Sequence, residues 1–162
     1  MVADNKNINS SIHRALVFQG GGSLGAYEAG AYKDINEELS QYLKAEGREN
    51  EPIFHIVSGT SIGAINAAIL VSYVKENKTW EGSGDKLVEF WNYLSKTPLI
   101  DNRFFDPSNT WYIYDNKPLK ESLEKFAKFP ISTSFEKGEP RLLLVAADVQ
   151  EGSSVVFATQ QS

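Results

Sequence analysis

The 162 residues predict an α/β fold built on a mainly parallel sheet with helices over both faces. Three observations predict it. Two apolar runs, Ala15-Leu16-Val17-Phe18 and Ile53-Phe54-His55-Ile56-Val57, each lead into a glycine-marked turn. Each turn leads directly into a helical pattern, and strand–turn–helix repeated in series is how a parallel sheet is written in sequence. The runs are continuous instead of alternating, as expected of strands buried on both sides.

The elements follow in order. Residues 1–13 are mostly polar and read as a flexible leader, with 14–162 as the folded portion. Ala15 to Phe18 is a short buried strand, broken by Gly20-Gly21-Gly22-Ser23-Leu24-Gly25. A helix starts at Ala26, with Tyr27, Ala31, Tyr32, Ile35, Leu39 and Leu43 spaced three or four apart as its inner face. A charged loop over 47–52 ends it. The second strand then feeds a helix from Ser61 to about Lys75 that is apolar nearly all round, so it belongs in the middle of the fold. After a loop over 77–85, Leu87, Val88, Phe90, Trp91 and Leu94 mark a third helix. Residues 97–111 are irregular and aromatic, with Pro98, Pro107 and Asn109 as breakers. Residues 117–128 form an amphipathic helix with Leu119, Leu123 and Phe126 inward. Residues 141–147 form a buried strand, paired with Val155-Val156-Phe157 across a turn at Glu151-Gly152.

Composition narrows the function. Apolar residues make up 41%, enough for a folded core. With no cysteine, the chain has no disulfide, thiolate metal site or cysteine nucleophile. A net charge of −5 without a basic stripe argues against nucleic acid as a partner. The N-terminus lacks the apolar core of a signal peptide, and no run approaches the roughly 20 apolar residues of a spanning helix. The expectation is a cytoplasmic protein that can still meet a membrane peripherally.

Gly59-Thr60-Ser61-Ile62-Gly63 carries the most information about chemistry. It is G-x-S-x-G between a strand and a helix, the context of a nucleophile elbow. Gly59 and Gly63 clear the sharp turn, and Ser61 stands at the positive end of the next helix. The loop from Gly20 to Gly25 supports two functional readings. As G-x-G-x-x-G it fits a dinucleotide site, yet the acid wanted about 20 residues on at the end of the second strand is missing, since Glu46, Glu49 and Glu51 precede that strand. As an oxyanion hole, the amides of Gly20, Gly21 and Gly22 approach a carbonyl oxygen with no Cβ in the way. A glycine loop with no ligand is the plainest alternative. Both histidines, His13 and His55, precede Ser61, so the Ser…Asp…His order is not available.

Residues 18–30, Phe-Gln-Gly-Gly-Gly-Ser-Leu-Gly-Ala-Tyr-Glu-Ala-Gly, and 59–67, Gly-Thr-Ser-Ile-Gly-Ala-Ile-Asn-Ala, resemble the two signature segments of the patatin-like phospholipase family. Residues 147–152, Ala-Asp-Val-Gln-Glu-Gly, resemble that family's later strand and turn. The resemblance implies a three-layer α/β/α fold, a serine–aspartate dyad without histidine, hydrolysis of acyl esters in lipids, and no metal or organic cofactor. Two departures stand out. Leu24 occupies a place where the family often has Arg or Lys. The dyad aspartate belongs to an Asp-Gly-Gly or Asp-Gly-Ala motif, and no Asp-Gly pair occurs in these residues. The chain is therefore expected to be an N-terminal portion of such a domain, inactive alone. A non-catalytic lipid- or partner-binding module is the alternative. Asp148 reads as a turn residue or one that supports the site from behind. The aromatic residues 104–105 and 111–114 read as core or as a lip over the site, and Asp101, Asp106 and Asp115 as solvated loop acids.

Overall fold

The computed structural model describes residues 13–96, 117–133, 139–148 and 150–159. The leader before His13 and the aromatic and acidic residues of 97–116 lie outside the described residues, as does the Leu119 side chain. Strand β1 (Ala15–Phe18) pairs in parallel with β2 (Ile56–Thr60), and β2 in parallel with β3 (Arg141–Asp148). Strand β4 (Ser153–Ala158) returns antiparallel to β3, giving the order β1-β2-β3-β4. Helices α1 (Gly25–Ala45), α2 (Ile62–Asn77), α3 (Ser83–Lys96) and α4 (Lys117–Phe126) complete the fold. A four-stranded, mostly parallel sheet with helices is consistent with a three-layer α/β/α architecture.

The topology explains which faces are buried. Both crossovers step the same way across the sheet, and right-handed crossovers that do so set their helices on one face. Helix α2 packs across β1, β2 and β3, while α1 and α3 pack on each other and on α2. Phe18, Val57 and Leu142 point into this layer and are 2%, 0% and 3% exposed. Val17, on the other face of β1, is 66% exposed. The expectation of a buried strand thus holds for one face of β1, whose place at the sheet edge leaves the alternate side chains outside the helical layer. In β3 likewise Leu142 is buried, whereas Ala146 and Ala147 are exposed.

Helix α1 departs from its expected stripe. Its buried residues are Gly25, Ala29, Tyr32, Asn36 and Leu43, with Leu39 packed against the core. Tyr27 and Ile35 are exposed instead. The true stripe turns on small residues that let the helix sit close, and on one polar residue that apolar periodicity passes over. Asn36 is satisfied by the Tyr32 hydroxyl, which donates to its Oδ1 (3.2 Å), and by the Trp80 carbonyl (3.2 Å). The Tyr32 hydroxyl also lies 2.6 Å from Ser83 Oγ. Burial pushes the Tyr32 phenol well above its ordinary pKa. Aromatic contacts run from Phe18 edge-on to Tyr32, tilted to Phe54 and edge-on again to Trp80. Each such buried side chain contributes about 1.5–3 kcal/mol of transfer free energy. Phe90 and Phe126 fasten α4 to α3 at a ring distance of 5.5 Å.

At the amino ends of β1 and β2, the Arg14 N–H donates to His55 Nδ1 at 3.1 Å. The His13 ring stands edge-on to His55 at 4.8 Å. Partial burial, then the charges of Arg14 and His13, hold the His55 pKa below its usual 6.5, against a smaller opposing pull from Glu51. The folded state prefers neutral His55, so the unfolded chain binds more protons at acid pH. Stability from this site is complete above about pH 6.5 and is lost as pH falls toward the depressed folded value. Melting temperatures measured from pH 8 down to 5 should fall more steeply for the wild type than for His55→Gln, which keeps an acceptor and cannot titrate. Parallel curves would refute this.

Candidate active site

The site lies at the carboxyl edge of the parallel strands, where open α/β sheets collect their ligands. Phe18 pairs with Gly59 and Gly59 with Leu144, so β1 and β2 end nearly level beside the middle of β3, which runs on to Asp148. Immediately beyond Thr60 the chain reverses at Ser61, with φ 55° and ψ −123°, and enters α2. A positive φ with this ψ is a sparsely populated conformation for a non-glycine residue and costs on the order of 1–3 kcal/mol. Two backbone bonds hold it: the Ser61 N–H donates to the Val145 carbonyl at 3.3 Å, and the Ser61 carbonyl accepts from Ala64 N–H at 2.9 Å. The residue is exposed.

The glycine loop leaves β1 through Gln19 and Gly20 and tightens into a 3-10 turn over Gly22–Leu24. Gly22 takes a φ of 58°, open to glycine at no steric cost. That turn runs straight into α1, so the loop amides sit at a helix N-terminus. Among the described residues, the amides of Gly20, Gly21 and Gly22 donate to no backbone carbonyl.

Glycines bring the two turns together. A methyl group on Gly20 would sit 3.2 Å from Ser61 Cβ. One on Gly63 would come within 2.5 Å of both the Phe18 and Gln19 carbonyl oxygens, and one on Gly59 within 2.0 Å of the Gly63 carbonyl oxygen. Gly25 is closed off by Trp91 and Ile62, at 2.5 and 3.0 Å from such a methyl. Ser61, Gly20, Gly25, Gly59 and Gly63 therefore share one small volume, with Gly21 and Gly22 continuing the loop.

Asp148 does not join them. Its Oδ1 accepts the N–H groups of Gln150 (2.9 Å) and Glu151 (3.1 Å), closing the β3–β4 turn. It lies three residues past Val145, the partner of Ser61, or about 10 Å along the strand. His55 is at the opposite end of β2. A cavity of about 770 Å³ lined by Lys33, Asn36, Trp80 and Glu139 lies at the far end of α2, roughly 20 Å away. No group of three or more His, Asp or Glu side chains among the described residues could hold a metal ion. No helix among them is long and apolar enough to cross a membrane.

Two residues at the site were not singled out from sequence. Glu28 Oε1 accepts the Gln19 N–H at 2.7 Å. Asn66, fully buried, donates to the Gly25 carbonyl at 3.0 Å and accepts from Trp91 Nε1 at 3.0 Å. The available signals were an acid in the first turn of α1 and an amide inside the apolar run that opens α2.

A sheet edge that presents a strained serine beside a glycine loop belongs to the hydrolytic class of α/β proteins. The class narrows on comparison: a family model for patatin-like phospholipase matches residues 16–161. The chain belongs to the patatin-like phospholipase family, whose members are lipid hydrolases. No curated protein matches it.

The packing at Gly63 makes a stability prediction. Gly63→Ala should destabilise by about 1–3 kcal/mol or more, since backbone must move to admit the methyl. Gly30→Ala, in α1 where a methyl meets nothing within 4 Å, should stabilise by about 0.5–1 kcal/mol. Thermal or urea unfolding of the two variants checks it, and equal effects would contradict the packing.

Proposed function

We propose that this protein is a serine acylhydrolase of lipid esters, with Ser61 as nucleophile and the Gly20, Gly21 and Gly22 amides as the oxyanion hole. The observation that carries the reading is the strained, exposed Ser61 turn packed against a glycine loop whose amides donate to no backbone carbonyl among the described residues. Ser61 Oγ attacks the ester carbonyl carbon, and the carbonyl π pair moves onto its oxygen. The loop amides stabilise that charge, each donor being worth a factor of about 10²–10³ in rate. Collapse expels the alcohol, which leaves with the proton that the serine gave up. Water then attacks the acyl-serine, releases the carboxylic acid and restores Ser61. An aspartate is the base that the dyad requires. Exposed Leu24 and Tyr27, at 66% and 80%, flank the loop and support a lipid substrate met at a peripheral membrane contact.

The lack of an Asp-Gly pair favours a second reading, in which the same fold is a lipid-binding module without turnover. Labelling the full-length protein with a fluorophosphonate decides between them. Under the first reading the probe attaches at Ser61, and Ser61→Ala lowers p-nitrophenyl ester hydrolysis by about 10³ or more. A wild type that takes no probe yet retains liposomes equally with or without Ser61 supports the second. Hydrolysis that survives Ser61→Ala defeats both.

A further inference from the structure

We infer that Glu28 and Asn66 are positioning residues that set the glycine loop against the Ser61 turn. The inference rests on the catalytic reading of Ser61, and it comes from four elements meeting in one polar network. Glu28 lies in the first turn of α1 and takes the Gln19 N–H, the first amide past β1, at 2.7 Å. The carbonyl of the same residue is backed against Gly63, where a methyl would come within 2.5 Å. Gln19 is thus held from both sides. Its C=O and the Gly20 N–H belong to a single planar unit. Fixing one therefore aims the other, which is the first of the proposed oxyanion donors.

Asn66 closes the network from below. It stands five residues past Ser61 on α2 and is 0% exposed. Its Nδ2 donates to the Gly25 carbonyl at 3.0 Å and lies 3.5 Å from Glu28 Oε2. Its Oδ1 accepts from Trp91 Nε1 on α3 at 3.0 Å. The amide nitrogen thus faces two acceptors and the amide oxygen one donor, a set that aspartate or leucine cannot match. Glu28 consumes the Gln19 amide, so the donors left to a substrate oxygen begin at Gly20. Its carboxylate also lies at the positive end of α1, where negative charge is favoured.

Glu28→Ala, Glu28→Gln and Asn66→Asp in the full-length protein test this with two independent readouts. Glutamine keeps an acceptor oxygen for Gln19, and alanine does not. Hydrogen exchange of the bonded amides of Gln19, Leu24 and Gly25 should quicken by at least about tenfold in Glu28→Ala and Asn66→Asp, with α3 unchanged and Glu28→Gln close to wild type. Fluorophosphonate labelling at Ser61 should slow by at least about tenfold in Glu28→Ala and recover in Glu28→Gln. Glu28→Ala exchange and labelling equal to wild type would overturn the positioning role, as would a glutamine variant as impaired as the alanine. If the wild type takes no probe, the catalytic reading fails, and the exchange comparison still decides whether Glu28 fixes the loop.

Discussion

The structure turns on the contact of backbone with backbone at Gly63. The carbonyl oxygens of Phe18 and Gln19 lie only 2.5 Å from where a Cβ would be, so the first turn of α2 rests directly on the exit of β1. Gly59 repeats the arrangement one turn lower, between β2 and the Gly63 carbonyl. These approaches are possible only because neither residue has a side chain. They fix the distance between the two loops at the sheet edge, and with it the distance from Ser61 to the glycine loop.

That closeness also explains how a strained serine persists. Its positive-φ backbone stores free energy, which is tolerated where the surroundings over-determine the conformation. Here β2 ends at Thr60, α2 begins at Ile62, and Ser61 is bonded to β3 through Val145 and to α2 through Ala64. The helix behind it is nearly all apolar and fully packed from Ala67 to Val71. A rigid apolar rod beneath a sharp turn keeps the turn in place, and the polar side chains of Glu28 and Asn66 pin the loop opposite.

Much of the organisation was legible in the chain. The order of strands and helices, the antiparallel return across Glu151-Gly152 and the burial of α2 follow from continuous apolar runs and turn residues read locally. The Ser61 turn and the glycine loop were legible as patterns because each needs glycine at fixed offsets. The face of α1 was not. Apolar spacing selected Tyr27 and Ile35, whereas Ala29, Gly25 and Asn36 are the residues buried. A small or polar residue becomes an interior one only when a close neighbour or a bonded partner is present, and these neighbours are distant in sequence. Asn36 finds Trp80 44 residues away, and Asn66 finds Gly25 41 residues away.

What the sequence determined by itself is therefore local: which segments are strand or helix, where glycine is required, and which serine stands at a strand–helix turn. These depend on backbone sterics and on periodicity within a few residues. Tertiary structure alone decided which faces of α1 and β1 are inside, that Gly63 lies on the β1 exit, and that Glu28 and Asn66 converge on the loop. Those outcomes arise from strand order and crossover handedness, which bring distant residues within bonding distance and leave no trace in local pattern.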